Sequence, residues 1–167
     1  MNMNMKRNQT GFTIIELIVT IALLGILSAV ALPRFISITD DAHTANVRGA
    51  AAGFVSGLAL IRAQAITEGV TSGAVDGYGT GNLWVNNVPA PTSSGSAATV
   101  NCVEVWNLLL QSNAPTVSTA AGSDYQASST GTPSVCTYTY DTEDNGTART
   151  IIYTTSTGEV SVVAEAG

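Results

Sequence analysis

Residues 11–32 read GFTIIELIVTIALLGILSAVAL, an apolar run broken by a single charge, Glu16. As a helix, residues 12–32 would extend about 31 Å at about 1.5 Å per residue, enough to cross a bilayer core. A carboxylate in such a segment costs on the order of 3 kcal/mol when it sits deep in lipid. Glu16 therefore predicts a partner that offsets this cost, because an ionisable group inside a membrane marks function rather than anchoring alone.

The flanks narrow the reading. Residues 1–11 are short and polar, with Lys6 and Arg7 as their charges. A secretory signal would be cut behind the apolar run at a pattern of small residues. Ser28, Ala29 and Ala31 imitate that pattern weakly. Neither such a signal nor an ordinary uncleaved anchor accounts for Gly-Phe-Thr directly ahead of the run, with Glu16 four residues after Phe12.

Residues 6–27, KRNQTGFTIIELIVTIALLGIL, closely resemble the class III signal of type IV pilins and pseudopilins. The resemblance reaches to about Glu68. It implies that a prepilin peptidase of the inner membrane cuts after Gly11 and N-methylates the new terminus, Phe12. Gly25 and Pro33 also stand where that family would place them, as positions of a helix kink. The partners implied are a homopolymer forming the filament, the peptidase, the type IV pilus assembly machinery, and the inner membrane before assembly.

The chemistry of Glu16 points the same way. After cleavage, Phe12 would carry an ammonium at the edge of the apolar segment. Opposite charges attract strongly in a low dielectric, and each relieves the other's desolvation. Within one helix the two are an i, i+4 pair; between chains, the ammonium of an incoming subunit would meet Glu16 of its neighbour and fix the axial register. Apolar helices gain little from hydrophobicity while still in lipid, so the polar contact would select for assembly.

Composition agrees with an exported subunit. Only 11% of residues are charged and the formal net charge is −6, which disfavours nucleic acid as a partner. Beyond Glu68 the chain is dominated by Ser, Thr, Gly, Ala and Asn. Cys102 and Cys136, in a chain whose export is argued from its N-terminus, read as one structural disulfide. His43 is the single histidine, and no C-x-x-C occurs, so neither a metal site, a cofactor nor a catalytic centre is expected.

The helical pattern resumes past Pro33. Val47, Phe54, Leu58, Ile61 and Ala65 share one face, and Gly49, Gly53 and Gly57 recur every fourth residue. Each glycine costs about 1 kcal/mol in a helix, so the three predict close approach of another backbone. Gly69 makes a natural stop. Residues 71–99 read as mostly loop. Residues 101–111 read as a short helix capped by Asn101, with Val103, Trp106 and Leu110 on one face. Residues 118–133 again read as loop.

Residues 135–140, 149–155 and 159–163 are β-branched and aromatic runs joined by turn signals at Asp144-Asn145-Gly146 and Thr157-Gly158. Three antiparallel strands packed on the long helix give an α+β fold, the type IV pilin fold the resemblance implies. Asp141 to Gly146 imitates the opening of a calcium loop, but its twelfth position falls on Ile152, which cannot ligate. Asp40, Asp41 and His43 read as a solvated stretch.

The expected organisation is a leader at 1–11, a transmembrane and assembly helix at 12–34, its amphipathic continuation at 35–68, and a disulfide-closed globular domain at 69–167. The expected function is a structural pilus subunit, anchored as a single-pass inner-membrane protein and then extracellular. Residues 31–42 and 49–58 look most like the mannose-sensitive haemagglutinin (MSHA) type of pilin, implying adhesion and biofilm formation. The alternatives are a type II secretion pseudopilin or, in a different class, a membrane-anchored periplasmic enzyme or binding domain.

Overall fold

One helix, α1 (Ile14–Glu68), takes up 55 residues of the chain. The computed structural model describes residues 11–77, 83–88, 90–92, 100–111, 114–131, 134–140 and 149–163. Lys6, Arg7, the Asp144-Asn145-Gly146 turn and the calcium-like segment lie outside the described residues. The chain divides into two units, Met1–Asp40 and Asp41–Gly167. Pro33 lies inside α1, where its ring removes one helical hydrogen bond, that to the Ala29 carbonyl. Gly69, at φ 71°, ends the helix in the left-handed region, with Val70 N–H donating to the Ala65 carbonyl at 2.8 Å.

The second unit is built on one stripe of α1. Val47, Ala51, Phe54, Leu58, Ile61 and Ala65 are all buried, which is the face the periodicity predicts. The glycines beside this stripe have distinct uses. A Cβ on Gly57 would lie 2.5 Å from the Leu109 carbonyl oxygen, and one on Gly53 would lie 2.9 Å from Leu110 Cδ2. Both neighbours belong to α2 (Cys102–Leu110), which meets Gly57 with its backbone and Gly53 with the Leu110 side chain. Asn101 caps α2, its side chain accepting from the Glu104 N–H at 3.3 Å. The buried face is Cys102, Val105, Trp106 and Leu109, which corrects the predicted Val103–Trp106–Leu110 face. Because α2 is apolar on most sides, spacing alone leaves its rotation open. The disulfide at Cys102 settles it.

Two sheets flank the helices. Between residues 71 and 99, expected as mostly loop, β1 (Gly73–Val75), β2 (Leu83–Val85) and β3 (Pro91–Thr92) form a small antiparallel sheet. The second sheet runs β4 (Val117–Ser118), β5 (Tyr125–Thr130), β6 (Val135–Tyr140), β7 (Thr150–Thr154) and β8 (Glu159–Val163), in that spatial order. β6, β7 and β8 match the three expected strands. β5 corrects the loop reading of residues 118–133: it pairs with β6 along its whole length, from Tyr125↔Tyr140 to Thr130↔Val135. β4 adds a parallel edge. In β5 only Tyr125 and Ala127 face inward, and Gln, Ser and Thr form the outer side, so no apolar run marks the strand.

Aromatic rings fill the space between α1, α2 and the larger sheet. Phe54 stands 5.4–5.9 Å from the rings of Trp106, Tyr138 and Tyr153. The polar tips of these rings tie separate elements together. Tyr138 Oη donates to the Cys102 carbonyl, Tyr153 Oη to the Pro91 carbonyl, and Trp106 Nε1 to the Pro115 carbonyl, at 2.9, 2.9 and 3.0 Å. Burial pushes the Tyr138 and Tyr153 hydroxyls well above their ordinary pKa, so they stay neutral donors. The Cys102–Cys136 disulfide joins the start of α2 to the start of β6, as expected.

Candidate assembly site

The helix that carries the site starts with a reciprocal cap. Thr13 donates to Glu16 Oε2 through both its N–H, at 3.3 Å, and its Oγ1, at 3.1 Å. Glu16 N–H donates back to Thr13 Oγ1 at 3.3 Å. This is a capping box, in which a Thr and a Glu three residues on satisfy each other's free backbone donors. It also sets the carboxylate at the positive end of the helix dipole. The pattern T-x-x-E at residues 13–16 is the local signal for this cap, one that the charge of Glu16 alone does not reveal.

The box leaves Glu16 incomplete. Both Thr13 bonds go to Oε2, and Oε1 has no partner among the described residues. Phe12, 91% exposed, immediately precedes the box, with Gly11 exposed before it. Each large apolar side chain of residues 12–32 is exposed, down to 50% at Val19. The other polar side chains of the run are satisfied within the helix itself: Thr20 Oγ1 donates to the Leu17 carbonyl and Ser28 Oγ to the Leu24 carbonyl, both at 2.7 Å. Glu16 is therefore the one group there that asks for a polar partner from outside. Gly25 lies on the same apolar surface, with open space where a Cβ would stand.

The remaining candidates sort differently. His43 is not in a solvated stretch: it is half-buried, with Nδ1 3.2 Å from Tyr140 Oη and the two rings 5.6 Å apart. Among the described residues, no group of three or more His, Cys, Asp or Glu side chains is placed to hold a metal ion.

A family model described as the prokaryotic N-terminal methylation motif matches residues 6–32. The type IV narrow pilus major component PilA5 of Thermus thermophilus is 38% identical over 96 residues, covering 55% of this chain and 77% of that protein. The type IV major pilin protein PilE1 of Neisseria gonorrhoeae is 33% identical over 90 residues, covering 54% of this chain and 35% of that one. No solved structure matches the chain. The long apolar helix, the α+β domain behind it and the likeness to PilA5 place the chain in the type IV pilin family.

Proposed function

We infer that the protein is a structural subunit of a type IV pilus, polymerising through residues 12–34 into a surface filament. The observation that carries this is Glu16, a lone carboxylate with one oxygen unpartnered among the described residues, in the otherwise apolar, exposed run of residues 12–32. In this reading a prepilin peptidase cuts after Gly11 and methylates Phe12, and the helix then holds the subunit in the inner membrane. During assembly, the Phe12 ammonium of one subunit takes the free Oε1 of Glu16 in its neighbour. Gly25 and Pro33 let the helix bend as subunits pack. The names of the relatives, both pilus components, support a structural role over a tethered enzyme. Assignment to an MSHA-type pilus, with adhesion and biofilm formation as its use, rests on residues 31–42 and 49–58.

Mass spectrometry of sheared surface filaments tests the foundation. The expected mature chain begins with N-methyl-Phe12, and a chain beginning after Ala31 would overturn the reading. Gly11→Val is expected to block cutting, because a branched side chain crowds the peptidase site. Sedimentation of those filaments separates polymer from tethered enzyme, since an enzyme would stay with the cells.

A further inference from the structure

Past Gly11 the chain carries no methionine, since Met1, Met3 and Met5 all stand ahead of it, and its two cysteines are joined. Residues 12–167 therefore lack the thiol and thioether groups that ordinarily meet oxidants first. One-electron oxidation then falls to the aromatic rings, which the second unit sets in a continuous series. The Trp106 ring stands 4.8 Å from that of Tyr138 and 4.7 Å from that of Tyr125. Tyr125 stands 5.2 Å from Tyr140, and Tyr140 stands 5.6 Å from His43.

The hydroxyls tell these tyrosines apart. Losing an electron makes a phenol a strong acid, so an oxidised ring is stable only where a base takes its proton. Without one, a positive charge is left unpaired in a low dielectric, which is costly. Tyr138 and Tyr153 donate to the carbonyls of Cys102 and Pro91, and Trp106 Nε1 donates to that of Pro115; amide oxygens are too weakly basic to take the proton. The Tyr125 hydroxyl is buried with no hydrogen-bond partner among the described residues. Tyr140 differs. Its Oη lies 3.2 Å from His43 Nδ1, across 97 positions of sequence. Imidazole is the side chain whose ordinary chemistry exchanges a proton near neutrality, and 3.2 Å is within reach of direct transfer. Tyr140 is also half-buried and lines a groove of about 580 Å³ between α1 and the larger sheet. Solvent therefore reaches this ring, whereas Trp106 and Tyr125 behind it are buried.

We propose that Tyr140 and His43 form a redox-active pair, the place where oxidising equivalents that reach the aromatic core come to rest. A one-electron oxidant, such as a radical derived from a peroxide, takes an electron from Tyr140 directly or from Trp106 by way of Tyr125, each ring being refilled by the next. The Tyr140 O–H bond breaks and its proton passes to His43 Nδ1, which accepts it in the tautomer protonated at Nε2. A neutral phenoxyl radical then faces an imidazolium. A small reductant entering the groove returns the electron, and His43 returns the proton. In its absence, radicals of two copies couple through a ring carbon–carbon bond, the displaced hydrogen of each ring going back to its oxygen. The pair belongs to a single subunit, so the proposal does not depend on polymerisation.

The test is photo-oxidation of the detergent-solubilised subunit by ruthenium tris-bipyridine with persulfate. Tyr78, outside the described residues, is changed to Phe throughout so that it adds no signal. The parent is expected to give a tyrosyl radical in frozen-solution electron paramagnetic resonance. Tyr140→Phe keeps the ring and is expected to lose that radical, while added oxygen rises on the Trp106 peptide in mass spectra. His43→Phe keeps a ring against Tyr140, and His43→Gln keeps a hydrogen-bond acceptor, but neither takes a proton. Both are expected to lower the radical yield about tenfold or more. An undiminished radical in Tyr140→Phe would overturn the assignment of the site. A full yield in His43→Gln would overturn the proton transfer and leave the contact as a structural tie between α1 and β6.

Discussion

In the proposed assembly Glu16 would have two tasks, the cap with Thr13 and the pairing with a neighbour, and separate variants can pull them apart. Glu16→Gln keeps the capping box with Thr13, since an amide oxygen also accepts from the cap, but removes the charge. Thr13→Val keeps the charge and loses the box, at about 0.5–2 kcal/mol of helix stability. If an ion pair drives assembly, Glu16→Gln should make few filaments at normal membrane levels, whereas Thr13→Val should assemble at moderately reduced yield. The reverse order, read by shearing and blotting, would assign assembly to the cap and not to the charge. Asp124 gives a pH prediction. Its carboxyl is lowered from 3.8 by the Thr116 bonds, so their stabilisation is fully present above that value and is lost as pH falls through the lower folded one. Trp106 reports on this loop through its bond to Pro115, so its fluorescence should survive to lower pH in wild type than in Thr116→Val. Of these residues Glu16 was legible, because one charge in an apolar run stands out. Asp124 was not, because its partner Thr116 is brought to it by the fold rather than by a neighbouring position.

Among the elements, α1 was legible because its pattern is long and periodic. The stripe from Val47 to Ala65 and the stop at Gly69 both stand as read. The glycines predicted close approach of another backbone, which holds at Gly57 against α2, whereas Gly53 meets the Leu110 side chain and Gly49 meets open space. Two substitutions therefore diverge. Gly57→Ala drives a methyl into the Leu109 carbonyl, and should cost about 1–3 kcal/mol by overpacking. Gly49→Ala meets open space and should gain about 1 kcal/mol from helix propensity. Denaturant melts of the detergent-solubilised subunit would show both, and equal effects would contradict the packing. Cys136→Ser removes a crosslink closing a loop of 34 positions, worth roughly 3–4 kcal/mol in the chain-entropy account, and should lower subunit abundance. Alkylation of both cysteines in unreduced filaments would contradict that expectation. β1 and β5 escaped the sequence because so few of their residues face inward, Val75 in β1 and Tyr125 and Ala127 in β5, whereas β2 and β3 are buried but only three and two residues long.

Taken whole, the molecule joins a generic grip to a specific one. The apolar run offers area to any apolar surface, and Glu16 asks for a defined partner. Co-expressed with wild type, Glu16→Ala should enter filaments below its share of the membrane pool, because its amine can still pair while its carboxylate is missing. Incorporation in proportion to that pool, quantified by mass spectrometry of sheared filaments, would remove the ion pair from the mechanism. The fold class was readable because a helix of this length followed by alternating runs leaves few arrangements, whereas the parallel β4 edge depends on pairings distant from any local signal. Those distant pairings also govern when the chain can fold. Thr44 meets Arg149 across 105 positions, His43 meets Tyr140 across 97, and Arg62 reaches Gly158 across 96. Synthesis delivers these partners last. Until then the buried stripe of α1 is covered only in part, by α2 and the elements made before β6, and contacts of such long sequence separation form slowly. The domain of the nascent chain therefore stays open until its last strands are made, a period in which sticky surface is exposed and holding chaperones matter most.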